Sequence, residues 1–404
     1  MKQTILAILL LGSLIGGATV FGLTRSQSSG KASEEVESRL QLADRLLESD
    51  PSRAIKVLDE LAAQGTRESE ASRLIRIKAL DKAGSHAPAA EAAAAFLKDF
   101  PKSESRDAVD LIRISNSLAA GGTTAETVRG EAEKVASSNP GSPEAQRIQL
   151  TLARKELAAG NLAEAQARMK PILETARLDD PEVFAAAEAL GQANLESFFA
   201  NAGPSDTTHE VRSGESVNAI ARRNGLTDEL LLKVNNITDP RRLRVGQKLR
   251  VPKVDFTLHV SRTYNKMVLK NNGEFFKIYN VRTGREEDAT PVGTFRVLNK
   301  KRNPTWRPGN GDVYGPGDPN NELGTRWMAF EGDILGIHGT LHPETLGHYA
   351  SNGCVGLSTP EVEELFDLIT TGTTLIIEGE RDLERHRVIP APPLQPPQQV
   401  ASNQ

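Results

Sequence analysis

The chain is poor in cysteine: Cys354 is the only one among its 404 residues. A single cysteine cannot form a disulfide within the chain, so a disulfide-stabilised fold is excluded. The net charge is only -4 and no long basic run is present, which argues against nucleic acid as a partner. Apolar residues make up 38% of the chain. That content suffices for globular cores, and the length predicts about two or three domains.

The N-terminal segment, residues 1–33, contains an apolar stretch from Thr4 to Leu23. A helix of about 20 residues spans the roughly 30 Å of a bilayer's hydrocarbon core. No clear A-x-A cleavage signal follows it, and no cysteine lies near its end to carry a lipid. We therefore expect a membrane anchor in preference to a cleaved signal, with the remainder exported to the periplasm-facing cell envelope. A lone thiol kept in an oxidising compartment is a liability unless it has a role.

A helical region is predicted for residues 34–200, which are rich in Ala, Leu, Glu, Lys and Arg. Apolar residues recur there at helical spacing, as at Leu40, Ala43 and Leu47. The stretch from Ala153 to Leu173 resembles a tetratricopeptide repeat, in which small residues let two helices pack closely. The sequence therefore predicts an all-α, TPR-like array. Such an array would serve either as a surface for a protein partner or as a spacer.

A small module with the order strand, helix, helix, strand is predicted for residues 209–252. Its matching motifs are Gly214-Glu215-Ser216-Val217, Val234-Asn235 and Leu243-x-x-Gly246-Gln247-x-Leu249-x-Val251-Pro252. On these motifs the segment resembles a LysM domain. The resemblance implies binding of glycans that contain N-acetylglucosamine, such as peptidoglycan. It also implies glycan contacts in the turns around Gly214 to Val217 and Asn235 to Thr238.

A mostly β domain with one helix is predicted for residues 255–379, from alternating apolar residues and turn-rich loops. Asn272-Gly273 lies between two apolar runs and predicts a β-hairpin. The helix is expected to start with Thr359 as its N-cap and to end before Gly372. The segment that follows, residues 388–404, is a Pro/Gln-rich tail of low complexity and is predicted to be disordered.

Two residues of the β domain are candidates for covalent chemistry. A thiolate is a nucleophile, and a histidine can generate it by taking the thiol proton. His338 ends a predicted strand, and the loop of residues 339–353 is long enough to bring Cys354 back to it. Flanking glycines would let backbone amides approach a substrate oxygen closely. This spacing alone is a weak signal, and a buried inert cysteine is the alternative.

The same domain resembles the L,D-transpeptidase catalytic domain, also called the YkuD domain. The matches include Thr290-Pro291-Val292-Gly293-Thr294-Phe295, Ile337-His338-Gly339-Thr340 and Ser351-x-Gly353-Cys354-Val355. The resemblance implies that Cys354 attacks a peptidoglycan stem peptide before its terminal D-alanine, and that an amine of a second stem resolves the thioester. His338 would be the general base, oriented by the Gly339 carbonyl. Substrate positioning and the oxyanion hole would fall to Ser351, Asn352 and the backbone amides near Gly353 and Cys354.

Two residues depart from the pattern Ser-His-Gly-Cys-Ile/Val-Arg that is usual in that family. Asn352 stands in place of the histidine and Gly356 in place of the arginine. Asparagine can still donate and accept hydrogen bonds, but it cannot titrate. An arginine would suit a substrate carboxylate or packing beneath the cysteine, and glycine does neither. Arg326 and Arg307 are candidates to replace it in space.

A metal site is the competing interpretation of the histidines. His338, His342 and His348 have a spacing like that of zinc proteases, but Gly339 stands where the catalytic glutamate should be. Pro343 also disfavours a continuous helix. No metal or other cofactor is expected, because acyl transfer needs only side chains and backbone amides.

The predicted function is therefore that of a cell-wall L,D-transpeptidase. Two alternatives stay open. In an L,D-carboxypeptidase, water would resolve the thioester. In a non-catalytic peptidoglycan-binding scaffold, the last domain would be inert, as the residues at 352 and 356 would suggest.

Overall fold

The computed structural model describes residues 30–64, 68–138, 143–309, 311–332 and 334–390. The chain divides into two compact units, with the boundary between Lys134 and Val135. This boundary falls inside the region of residues 34–200, which the sequence pattern treats as one helical array.

The described part of the first unit is built from α-helices. They are α1 (Gly30–Leu46), α2 (Pro51–Ala63), α3 (Glu70–Lys82), α4 (His86–Asp99), α5 (Arg106–Ala120) and α6 (Gly122–Ser138), which crosses the unit boundary. The side chain of Asp50 caps α2 by accepting the Arg53 N–H at 2.9 Å, directly before Pro51. Small side chains such as Ala43 and Ala54 are fully buried between neighbouring helices. The helical prediction for this region is confirmed.

Three helices of the second unit pack on the β domain that follows them. They are α7 (Pro143–Ala158), α8 (Leu162–Thr175) and α9 (Pro181–Ala200). On α9, Gly191 lies so close to the next layer that an added Cβ would be 3.0 Å from the Lys277 Cα. The Asn194 amide donates to the Phe276 carbonyl at 3.0 Å, and the rings of Phe198 and Phe276 meet edge to face. Buried residues of all three helices also form one apolar cluster with Val268 and Ile278 of the β domain.

The LysM-like segment has the predicted order of elements. It contains β1 (Thr207–Glu210), α10 (Val217–Arg223), α11 (Asp228–Val234) and β2 (Lys248–Val251). β1 and β2 are antiparallel, with Thr207 opposite Val251. The Asn235 side chain donates to the Arg250 carbonyl and accepts the Arg250 N–H at 2.7 Å. The Asn235 side chain, which lies in a predicted glycan-binding turn, therefore stabilises the module by bonding to the backbone of β2.

The β domain contains eleven strands within the described residues. They are β3 (Phe256–Ser261), β4 (Lys266–Asn271), β5 (Glu274–Asn280), β6 (Thr283–Gly284), β7 (Gly293–Arg296), β8 (Asn299–Arg302), β9 (Arg326–Glu331), β10 (Leu335–Gly339), β11 (Tyr349–Ser351), β12 (Val355–Leu357) and β13 (Thr374–Glu378). One sheet has the order β5-β4-β3-β13-β7, the second β12-β10-β9-β8, and β11 pairs with β6. The mostly β prediction is confirmed.

The helix of this domain, α12 (Thr359–Leu368), packs against β9 and β10. Its N-cap is Ser358, one residue before the predicted Thr359. The Ser358 hydroxyl accepts the Glu361 N–H while the Glu361 carboxylate accepts the Ser358 N–H, so the two residues form a capping box. The Glu364 carboxylate of the same helix accepts hydrogen bonds from Lys277 and Tyr279 of β5. The helix therefore starts just after β12 and links both larger sheets.

The LysM-like segment is attached to α12 by polar contacts. The Thr227 hydroxyl donates to the Asp367 carbonyl, and the Lys233 ammonium lies 2.8 Å from the Asp367 carboxylate. Arg302 of β8 forms a further ion pair with Glu229 at 2.5 Å. The module is thus fixed to the β domain in addition to being linked through the chain.

Two sequence predictions concern the ends of the chain. Within the described residues, no helix is both long and apolar enough to cross a membrane. The predicted anchor from Thr4 to Leu23 lies outside those residues, as does 391–404 of the predicted tail. The first part of that tail is described: Val388 forms a bridge with Tyr349, whose carbonyl accepts the Ile389 N–H at 2.9 Å.

Candidate active site

The turn before Cys354 depends on glycine. Cys354 lies between β11 and β12, and the residue as a whole is partly exposed. Gly353 has a φ of +122°, and a Cβ there would lie 2.3 Å from the Ala289 carbonyl oxygen. Only a residue without a Cβ allows this backbone conformation together with so close an approach.

Hydroxyl groups hold the same turn. The Ser351 hydroxyl donates to the Cys354 carbonyl at 2.6 Å and accepts the Gly353 N–H at 3.1 Å. The Thr290 hydroxyl donates to the Gly353 carbonyl at 2.9 Å and accepts the Gly284 N–H at 2.8 Å. Thr290 belongs to a motif that the sequence resemblance singled out without assigning it a role. The structure shows that it connects β6 to the cysteine turn.

His338 lies on β10, next to β12, the strand that directly follows Cys354. β10 and β12 pair in parallel with His338 opposite Gly356, and residues two apart on a strand face the same way. Cys354 itself lies just before β12, and the N–H of Gly336, two residues before His338 on β10, contacts its thiol. The imidazole Nδ1 is 2.6 Å from the Gly339 carbonyl oxygen. A carbonyl can only accept, so Nδ1 carries the proton and Nε2 is left as the acceptor. The role of Gly339 in catalysis remains a prediction.

Both groups are uncharged at neutral pH. Burial and then the nearby charge of Arg282 lower the pKa of His338 to about 3. Burial raises the pKa of the Cys354 thiol, against the opposing effects of the Gly336 N–H and of Arg282. The resting site is therefore a neutral thiol beside a neutral imidazole. The proton would move from sulfur to Nε2 as the thiol attacks.

Arg282 occupies the space beside Gly356. The Arg282 N–H donates to the Gly356 carbonyl at 2.9 Å, and the Gly356 N–H donates back at 3.0 Å. A Cβ on Gly356 would lie 2.6 Å from the Arg282 Nε. The Arg282 side chain is buried, and its Nη2 donates to Glu322 at 3.3 Å. Sequence reasoning missed this residue, because no local pattern marks it.

The two arginines suggested by the sequence lie elsewhere. The Arg326 guanidinium lies 5.4 Å from the centre of the Phe366 ring on α12 and 3.3 Å from Glu363. Arg307 is an exposed residue. The described contacts of Arg326 and Arg307 include none with Gly356, so the structure gives no support to either as a replacement for the motif arginine.

Asn352 also meets an arginine. The Asn352 side chain is exposed, and its Oδ1 accepts the Nη1–H of Arg285 at 2.5 Å. The same guanidinium donates through Nε to the Ile389 carbonyl at 2.7 Å, and the Arg285 N–H donates to the Ser351 carbonyl at 2.9 Å. Arg285 thus joins the cysteine turn to the C-terminal segment.

These contacts reduce the number of backbone amides that could form the predicted oxyanion hole. The Gly353 N–H already donates to the Ser351 hydroxyl. It is therefore a weaker candidate for binding a substrate oxygen. The Cys354 N–H stays the better candidate of the two amides.

The three histidines of the metal interpretation have separate partners. His342 Nε2 lies 3.0 Å from Glu322, and His348 Nδ1 accepts the Arg387 N–H at 3.3 Å. In the part of the chain that the structure describes, no group of three His, Cys, Asp or Glu side chains could hold a metal ion. Trp327 is buried beside His338, with ring centroids 6.0 Å apart, and Trp306 packs on Tyr314.

Comparison with protein families matches two segments of the chain. The model of the L,D-transpeptidase catalytic domain matches residues 255–377, and the LysM domain model matches residues 209–252. Both resemblances expected from the motifs are confirmed.

Several proteins similar to this chain are named L,D-transpeptidases. A Bacillus subtilis protein named as an L,D-transpeptidase, YqjB, is 38% identical over 126 residues, which are 30% of this chain and 70% of that protein. A second one from B. subtilis, YkuD, is 27% identical and is covered over 98% of its length, against 42% of this chain. A solved L,D-transpeptidase from Mycobacterium smegmatis aligns with 34% of this chain at 16% identity and a TM-score of 0.27. The chain spans 65% of that structure, just under two thirds.

Proposed function

The chain belongs to the L,D-transpeptidase family, and we propose that it cross-links peptidoglycan stem peptides through an acyl-enzyme on Cys354. The observation that carries this proposal is the buried His338 imidazole, whose Nδ1–H is committed to a carbonyl and which lies on β10, the strand paired with the one directly after Cys354. That arrangement leaves Nε2 to accept the thiol proton.

In the first half-reaction, Nε2 of His338 takes the Cys354 proton as the sulfur attacks the carbonyl carbon before the terminal D-alanine. The negative charge that develops on the carbonyl oxygen would be stabilised by backbone donors such as the Cys354 N–H. When the C–N bond breaks, His338 returns the proton to the departing amine. The products are D-alanine and a thioester on Cys354.

In the second half-reaction, an amine from another stem attacks the thioester carbon. His338 takes a proton from that amine and passes it to the sulfur as the C–S bond breaks. A new amide joins the two stems, and the thiol is restored. If water attacked instead, the same steps would yield a shortened stem, which is the carboxypeptidase reaction.

The other parts of the chain would hold the enzyme at its substrate. The LysM domain of residues 209–252 binds peptidoglycan glycan, which indicates an extracytoplasmic place at the cell wall. Because it is fixed to α12, glycan binding would raise the local concentration of stems at Cys354. We further propose that Thr4 to Leu23 anchors the chain in the membrane. The helical first unit would then act as a spacer or as a surface for a protein partner.

The scaffold alternative draws on the residues at 352 and 356. Both positions are in contact with arginines, Asn352 with Arg285 and Gly356 with Arg282. The departures from the family pattern therefore do not leave the thiol without nearby positive charge, and this favours an active site.

Incubation of the purified full chain with muropeptides, followed by mass spectrometry, tests the proposal. Cross-linked dimers with release of D-alanine are expected, and Cys354→Ala must abolish them. Shortened monomers in place of dimers would indicate the carboxypeptidase. Unchanged muropeptides together with no thioester on Cys354 would refute both enzymatic functions.

A further inference from the structure

Arg282 occupies the space that a side chain at position 356 would fill. In the family pattern an arginine follows the cysteine and its apolar neighbour, and here that residue is Gly356. A Cβ at this position would be 2.6 Å from Arg282 Nε and 2.7 Å from its Cγ. A Cβ does not approach a non-bonded atom so closely, so the glycine at 356 is what lets Arg282 lie against β12.

Arg282 is held firmly in this place. Its backbone makes two hydrogen bonds with Gly356, and its side chain is only 6% exposed. The guanidinium Nη2 donates a hydrogen bond to the Glu322 carboxylate, which also contacts His342. The Nε–H is buried without a hydrogen-bond partner among the described residues. A buried cationic donor left unpaired costs free energy.

The charge of Arg282 acts on both reacting groups. It is the charged side chain whose field favours the thiolate of Cys354, and it also opposes protonation of His338. The other charged groups near it are Glu322, which is its ion-pair partner, and Arg285, which lies three residues along the chain. Among the residues that the structure describes, only Arg282 combines burial, contact with β12 and an influence on both groups.

We propose that Arg282 is a positioning residue that replaces the arginine missing at 356. Its guanidinium packs on β12 from the segment before β6 and supplies the positive charge that stabilises the Cys354 thiolate. The inference rests on the proposed function only in taking Cys354 as the nucleophile. The experiment that tests it therefore measures the reactivity of the thiol itself and does not depend on the transfer reaction.

The test is the pH profile of alkylation of the full chain by iodoacetamide. Cys354 is the only cysteine, so the adduct followed by mass spectrometry reports this thiol alone. Arg282→Met keeps the length of the side chain and removes its charge. We expect alkylation at neutral pH to slow on the order of tenfold and the profile to move to higher pH, because a nearby opposite charge favours a thiolate. Arg296→Met, on β7, is the matched control and should leave the profile unchanged.

Further variants separate charge from folding. Arg282→Gln keeps a donor for Glu322 and should show the same shift of the alkylation profile to higher pH. It can therefore replace the Met variant if that variant does not fold. Arg282→Lys should stay close to the wild-type profile. The exchange Arg282→Gly with Gly356→Arg should recover alkylation that each single substitution loses.

Wild-type profiles in both neutral variants would overturn the inference, as would a double variant no faster than Arg282→Gly alone. If instead the profile shifts as expected while wild-type protein forms no cross-links, the role of Arg282 stands. The proposed function would fail in that case.

Discussion

Lowering the pH from 7 to 5 should destabilise the β domain through His338. The pKa of this buried imidazole is lowered from 6.5 to about 3. Between these values the unfolded chain binds a proton that the folded chain does not, so stability falls as the pH falls. His338 adds stability that is fully present above about pH 6.5 and is lost as the pH falls towards 3. Integration over the step from pH 7 to 5 gives about 2 kcal/mol.

The assay is urea unfolding followed by tryptophan fluorescence. The chain has two tryptophans, Trp306 and Trp327, and both lie in the β domain, so the signal reports that domain. Burial also lowers the pKa values of His259 and His348, which contribute in the same direction. The decisive quantity is thus the difference between wild type and His338→Gln, which keeps a donor for the Gly339 carbonyl. Wild type should lose about 2 kcal/mol more than the variant. Equal losses in the two proteins would refute the argument that His338 is neutral and buried.

Two further substitutions test the support of the site. Ser351→Ala removes the partner of the Gly353 N–H and of the Cys354 carbonyl, so we expect a loss of about 2–4 kcal/mol in urea unfolding. Cross-linking should fall at least about tenfold in muropeptide assays, and full activity would show that the hydroxyl does not hold the turn. Asn194→Ala removes the donor to the Phe276 carbonyl and should shift the tryptophan transition by about 2 kcal/mol. An unchanged transition would mean that α9 unfolds independently of the β domain.

Local patterns predicted the elements of the β domain well. The hairpin at Asn272-Gly273 is present, and both residues have positive φ values of 52° and 81°, as a tight hairpin turn requires. The start of α12 was misplaced by one residue, because Ser358 and Thr359 can both cap a helix. The choice is made by Glu361, which lies three residues after Ser358 and completes the capping box.

The division of the helical region could not be predicted from its composition. Helix-forming residues and apolar periodicity continue through residues 34–200, and neither property names the surface on which a helix packs. What distinguishes a helix that packs on the β domain is a few individual contacts. On α9, Asn194 contacts β5 through its amide and Phe198 through its aromatic ring. Such contacts join residues distant in sequence and leave no periodic signal.

The same reason explains why the site was only partly predictable. His338 and Cys354 belong to compact motifs, and the register of β10 with β12 brings their strands together. Arg282 joins them through a bridge to Gly356, a pairing between distant segments. By sequence alone Arg326 was as good a candidate, yet its side chain lies against Phe366.

The residues at 352 and 356 are best understood together with Arg282 and Arg285. A cysteine motif without its histidine and arginine is, taken alone, the pattern of a degenerate site. Position 356 cannot carry a side chain while Arg282 keeps its place, because even a Cβ would meet its Nε at 2.6 Å. The glycine and the displaced arginine are therefore one coupled change. Loss of the motif arginine is then evidence for inactivity only if Arg282 fails to act on the thiol.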